Sequence, residues 1–164
     1  MSATRSSGTY TQFTQKALLN LKTVLEKSLA EEDWGTYLAA TTLRAFVYEA
    51  LVDCYGEVPY TEALNSDNAT PKYDDGQVVY EGVVAELDAA LANASNSSPV
   101  CANFLYPSAT AGRWIQFANA LKLKMLMRMA DVKNVQAEVA ALIAEDNFPT
   151  ADVSYVDCWS NEPG

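Results

Sequence analysis

Histidine is absent from the chain, and only three cysteines occur, Cys54, Cys101 and Cys158, with no Cys-x-x-Cys spacing among them. Without imidazole there is no Ser-His-Asp or Cys-His nucleophile arrangement, and a zinc site lacks its usual ligand set. Glycine and proline are sparse, at seven and six residues, and no glycine-rich loop exists to cradle a phosphate. No apolar run approaches the roughly 20 residues that a membrane-spanning helix requires. Basic residues are scarce, 11 against 21 acidic ones, and the net charge of -10 argues against a nucleic-acid partner. No metal and no cofactor is expected.

What remains is rich in apolar residues: 49% of 164 positions, ample for the core of one helical domain spanning residues 1–164. Met1 to Gly8 is small and polar rather than a signal sequence, so the chain reads as a soluble segment. Phe13, Ala17, Leu21, Val24, Leu25 and Leu29 recur at helical spacing and predict an amphipathic helix from about Thr9 to Ala30. A second helix, about Tyr37 to Tyr55, puts Leu43, Phe46, Val47, Ala50, Leu51 and Cys54 on one stripe, with Tyr37, Leu38, Thr41, Tyr48 and Val52 on other faces. Asp74 and Gln77 have capping-box spacing for a third, whose Val79, Val83, Leu87, Ala90, Leu91 and Ala94 share a face.

The fourth helix, about Thr110 to Asp131, is apolar nearly all round, with Trp114, Phe117, Leu121, Met125 and Met129, and is expected to be the central core helix. Asn134 caps a short fifth in which Val135, Val139, Leu142 and Ile143 face inward, and residues 150–164 read as an irregular tail. Two helical pairs of similar size give an all-α fold of antiparallel hairpins, either a tetratricopeptide-like array or a packed bundle. The consensus of regular repeats is missing.

Nine acidic residues lie between Asp53 and Asp88 with Lys72 the only base, and six more follow from Glu138 without any. This is either a solvated acidic surface or one tuned for cations or a basic partner. Glu57, Glu62, Asp67, Asp74 and Asp75 offer no pair distinguished as a glycosidase acid and base, and Asn65-Ser-Asp-Asn68 lacks the glycine and terminal glutamate of a calcium loop. Asn-x-Ser/Thr triplets at Asn68, Asn93 and Asn96 are glycan acceptors only in a secreted eukaryotic protein. Cys54, on the apolar stripe, is expected to be a buried thiol, whereas Cys101 and Cys158 lie in loop-like segments where a disulfide is open to them.

The segment Cys54-Tyr-Gly-Glu-Val-Pro-Tyr-Thr-Glu-Ala-Leu64, followed by Pro71-Lys-Tyr-Asp74, is the most specific in the chain. Gly56 fits a helix C-terminal cap and Pro59 forbids continuation, so Tyr60 and Tyr73 sit on an ordered crossover whose fixed points are Gly56, Pro59, Tyr60, Pro71 and Tyr73. Its words resemble the Tyr-Gly-(Asp/Glu)-Val-Pro-Tyr-x-Glu-Ala signature of the RagB/SusD family. Arg44-Ala-Phe-Val-Tyr48 before it, and Glu86-Leu-Asp-Ala-Ala-Leu91 and Arg113-Trp-Ile-Gln-Phe-Ala-Asn-Ala-Leu-Lys-Leu-Lys124 after it, extend the resemblance over roughly Tyr10 to Phe148.

That resemblance implies degenerate tetratricopeptide-like hairpins within a longer, lipid-anchored protein on the extracellular face of the outer membrane. It implies a non-catalytic subunit that holds an oligosaccharide or other nutrient above a SusC-like TonB-dependent channel. This chain, without signal peptide or anchor, would be its internal helical portion. The alternative is a helical scaffold that binds another protein and no ligand of its own. Sugar rings stack their CH faces on aromatic side chains, and the pairs Trp34 with Tyr37, Tyr60 with Tyr73, Phe104 with Tyr106, and Tyr155 with Trp159 lie near helix ends. Of these, Trp34, Tyr37 and Tyr106 are the candidate ligand contacts. Each also has a plainer reading, an aromatic filling a gap between helices, and Tyr60 and Tyr73 fit that reading best because they flank prolines in the loop.

Overall fold

A computed structural model describes residues 8–103, 105–106 and 110–154. Among them there are five helices and no strand, only two isolated antiparallel bridges. The first helix, α1, starts as a π-helical stretch, Gln12–Leu18, and continues as α-helix over Leu19–Ala30. It is followed by α2 (Trp34–Tyr55), α3 (Gly76–Asn93), α4 (Gly112–Met129) and α5 (Gln136–Glu145). Helix α2 packs against α1, α3 and α4, while α4 packs against α2, α3 and α5. The helices thus form antiparallel hairpins around a continuous apolar core. None is long and apolar enough to cross a membrane among the described residues.

The face of α3 expected from its spacing is the observed one, with Val79, Val83, Leu87 and Ala90 buried, joined by Tyr80. On α4, Trp114, Phe117, Leu121, Met125 and Met129 are likewise buried. The central place expected for α4 is shared with α2, whose buried positions run from Gly35 to Val52 and whose three neighbours cover most of its circumference.

Four expectations are corrected. In α1 the π-turns add residues per turn, which rotates the inward face: Leu18, Leu25 and Ser28 are buried, whereas Val24 and Leu29 point out. Cys54 is exposed rather than a core thiol, because in the last turn of α2 it faces away from Tyr10, Tyr80 and Arg128, which meet its neighbours Tyr55 and Asp53; Phe46 also faces outward. Asp74 does not cap α3: the N-cap is Asp75, whose carboxylate accepts from the Gln77 N–H at 2.8 Å, and Asp74 turns back into the preceding loop. Ile143 is exposed, leaving Val135 and Leu142 as the buried contacts at α5. Residue Cys158, and with it a Cys101–Cys158 bridge, lies outside the described residues, as do Phe104, Tyr155 and Trp159.

The loop between α3 and α4 is strapped to the start of α2. Asp33 caps α2, accepting from the Thr36 N–H at 3.1 Å, and the Thr36 hydroxyl in turn accepts from the Cys101 N–H at 3.0 Å. Between these contacts Gly35 meets the Pro99 backbone so closely that a Cβ would fall 1.8 Å from the Pro99 carbonyl oxygen. Gly35→Ala would ordinarily favour a helix by about 1 kcal/mol. Here the clash reverses the sign, and a net loss of about 2 kcal/mol is expected from overpacking. Urea unfolding of the variant measures it; an unchanged or raised midpoint would show that the loop does not rest on α2 at this point.

Candidate functional site

The crossover between α2 and α3 is a locked structure. Gly56 ends α2 at φ 77°, its N–H bonded to the Val52 carbonyl at 2.8 Å, and a side chain would strain that conformation. Val58 and Asp74 then pair as an antiparallel bridge, with N–H···O distances of 3.2 and 3.0 Å, closing the loop that carries Pro59 to Tyr73. Inside the closure the buried Asp74 carboxylate accepts from the Tyr60 N–H at 3.1 Å, the Thr61 N–H at 2.7 Å and the Thr61 hydroxyl at 2.9 Å. Burial opposes ionisation of this carboxyl. The Thr61 and Tyr60 hydrogen bonds, helped by Lys72 at 3.5 Å, outweigh it and hold the group below the usual carboxylate range. Glu62 performs a second tie, accepting from the Asn68 amide at 2.9 Å and the Lys72 N–H at 3.2 Å.

Tyr60 continues the lock toward the core. Its hydroxyl donates to Glu86 on α3 at 2.7 Å, and Glu86 pairs with Arg44 on α2 at 3.2 Å. The Arg44 guanidinium lies over the rings of Tyr48 and Tyr60, which meet edge to face at 5.1 Å. Gly82 makes room for this ring, since a Cβ there would come within 2.4 Å of it. Burial, then the hydrogen bond to Glu86, pushes the Tyr60 hydroxyl far above the ordinary tyrosine value, so it remains a donor at any physiological pH.

Tyr73 behaves differently from Tyr60. It is 60% exposed, and with Tyr10, Pro59 and Pro71 it walls a cleft of about 830 Å³ between the loop and the π-helical start of α1. Thr14, Gln15 and Thr70 add hydroxyl and amide groups to the same cleft, and among the described residues no charged side chain lines it. Tyr10 packs edge to face on Tyr55 at 5.3 Å. Burial and a hydrogen bond with Tyr73 push its phenol up to about 12. The surface is therefore aromatic and hydrogen-bonding but neutral.

Of the candidate contacts, Trp34 and Tyr37 are half-buried neighbours on the first turn of α2, with rings 6.0 Å apart edge to face. Tyr106 is buried, its ring against Trp114 at 5.1 Å and under the Arg113 guanidinium. Its backbone belongs to the loop that rests on α2 through Pro99 and Cys101. A second cleft of about 730 Å³ between the ends of α3, α4 and α5 is charged, with Asp88, Lys122, Glu138 and Glu145 on its rim. Among the described residues no group of three or more Cys, Asp or Glu is placed to hold a metal ion. Sequence reasoning missed the part played by Tyr10, Thr14 and Gln15 in the first cleft. Tyr10 was legible as an aromatic at a helix start, but nothing local states that it meets Tyr73.

A family model described as starch-binding and associating with the outer membrane, SusD-like, matches residues 1–157. Among solved structures the chain is similar to a chitin-binding SusD homolog from Flavobacterium johnsoniae, with 24% identity and a TM-score of 0.71 over 85% of this chain and 30% of that one. It is similar also to a chitin-binding protein, with 25% identity and a TM-score of 0.67 over 84% and 31%. A SusD homolog from Bacteroides uniformis matches with 27% identity and a TM-score of 0.62 over 79% and 27%. The chain thus spans less than a third of the length of these structures. No curated protein matches it.

The Asp74 hub gives a pH-dependent prediction. A native carboxyl held below its unfolded value of about 3.9 stabilises the fold fully above that pH, and the stabilisation disappears as pH falls through the native-state value. Asp74→Asn should cost about 2 kcal/mol near neutrality, the worth of hydrogen bonds to a charged acceptor. Urea midpoints of variant and parent should converge below about pH 4. A gap that persists unchanged in acid would show that the carboxylate charge is not what holds the loop.

Proposed function

Because the chain belongs to the SusD-like family, whose helical-hairpin fold it shares, we propose that it is the helical part of a nutrient-binding subunit that captures a glycan reversibly and performs no chemistry on it. The observation that carries this reading is the use made of the acids in the signature loop. A glycoside hydrolase needs two carboxyl groups free to face a scissile bond. Here Asp74 and Glu62 spend their oxygens on backbone and side-chain donors of their own loop, which makes the segment a rigid platform. Trp34 and Tyr37, half-buried at the start of α2, are proposed glycan contacts, with Tyr106, from the loop that rests on that end of α2, as a third.

The chitin-binding proteins that share this fold favour an oligosaccharide over a peptide as the nutrient. In its full-length form the protein would be lipid-anchored at the extracellular face of the outer membrane, in keeping with the family's description, and would work with a SusC-like TonB-dependent channel. The test is calorimetric titration of this chain, and of the longer protein that contains it, with glucose oligomers, N-acetylglucosamine oligomers and a peptide mixture. Saturable heat with one of the glycans is the expected result. Binding by the longer protein alone would make this chain a scaffold, and heat with peptides alone would overturn the glycan assignment.

A further inference from the structure

The cleft between α1 and the signature loop sets Tyr73, paired with Tyr60 in the sequence reading, against Tyr10 instead, and its chemistry is specific. We propose that it is a binding subsite for a neutral sugar, with the exposed ring of Tyr73 as the stacking platform. The proposal rests on the glycan-capture reading and adds the place and the charge class of the ligand.

Size is the first argument. About 830 Å³ lies inside the range of small-ligand pockets, roughly 300–1,000 Å³. Lining chemistry is the second. Tyr10, Tyr73, Pro59 and Pro71 give flat apolar faces, and Thr14, Gln15 and Thr70 give hydroxyl and amide partners. A sugar ring presents that same combination, CH faces with a rim of hydroxyls that the exposed Gln15 and Thr70 can meet, while the Thr14 hydroxyl, which donates to the Tyr10 carbonyl at 2.8 Å, is left to accept.

Charge is the third argument. No lining residue among those described is charged, and two lysines of the adjoining segments have partners of their own: Lys22 donates to the Leu64 carbonyl at 2.8 Å and pairs with Glu26, and Lys72 pairs with Asp74. An acidic glycan would meet a lining without cations among the described residues, in a chain of net charge -10. Rigidity is the fourth. Pro59, Pro71 and the Asp74 hub fix one wall, so a bound ring would order little new structure, and the opposite wall is a π-helical segment, a distortion frequent at functional sites.

The experiment titrates the 164-residue chain with glucose and N-acetylglucosamine oligomers and, as the charged comparison, galacturonic acid oligomers. Two variants address the cleft without touching the core: Tyr73→Ala removes the exposed ring, and Ala69→Trp fills the space from an exposed lining position. Both are expected to keep the parent's circular dichroism and unfolding midpoint. Tyr73→Ala should weaken neutral-sugar binding about tenfold, Ala69→Trp should abolish it, and Val132→Ala, at an exposed position outside the cleft, should leave the affinity unchanged. Neutral-sugar binding that both cleft variants retain at parental affinity, or that Trp34→Ala alone removes, overturns the cleft while leaving glycan capture standing. Tighter binding of the uronate overturns the charge class. Failure of the 164-residue chain to bind either neutral oligomer overturns the subsite, while the capture reading falls only if the longer protein that contains it fails as well.

Discussion

The carboxylate of Asp74 is the point on which the arrangement of the crossover depends. Three donors from two consecutive residues, Tyr60 and Thr61, converge on it, and its own backbone pairs with Val58 across the loop. An ionised acceptor makes stronger hydrogen bonds than a neutral one, and here it is shielded from water, so the loop between Pro59 and Tyr73 has little freedom. That closure sends the two loop tyrosines in opposite directions. Tyr60 is turned inward to Glu86 and Arg44, and Tyr73 is left on the outer rim facing Tyr10.

On another flank of α2 a second set of charges fixes how the hairpins lie against each other. Glu49 is buried and receives Lys124 at 2.6 Å and Arg128 at 3.0 Å, both from α4. Arg128 also pairs with Asp53, which accepts from the Tyr80 hydroxyl of α3 at 2.6 Å. Lys122 pairs with Asp88 on α3. A chain with only 11 basic residues thus places four of them on α4, three of which answer acids on α2 and α3. Stripping one partner from a buried group of this kind leaves charge without compensation, so the cross-helix pairs select one register of α4 over α2.

Much of this architecture was legible beforehand. The apolar spacing of α3 and α4 named their buried faces, Gly56 and Pro59 marked the end of α2, and the loop words pointed to the RagB/SusD family that the whole-chain match then established. The misses share a cause. Periodicity assumes a regular helix with a neighbour on its apolar stripe, and it failed where α1 became π-helical and where the stripe of α2 turned to solvent at Phe46 and Cys54. Capping-box spacing at Asp74 failed because a tertiary demand, the donors of Tyr60 and Thr61, had a stronger claim on the same carboxylate.

By itself, then, the sequence determined the all-helical class, the helix count, the stop at Gly56 and Pro59, and the absence of histidine-based chemistry, because each follows from local dihedral preference, side-chain period or the inventory of functional groups. Only the tertiary structure decided which acids are consumed by the loop, that Gly35 and Gly82 are spacers for Pro99 and Tyr60, and that Tyr10 and Tyr73 share a neutral cleft. Those are contacts between segments far apart in the chain. They depend on how whole helices dock, and no local pattern of residue types encodes the distance between two surfaces that meet only after the chain has folded.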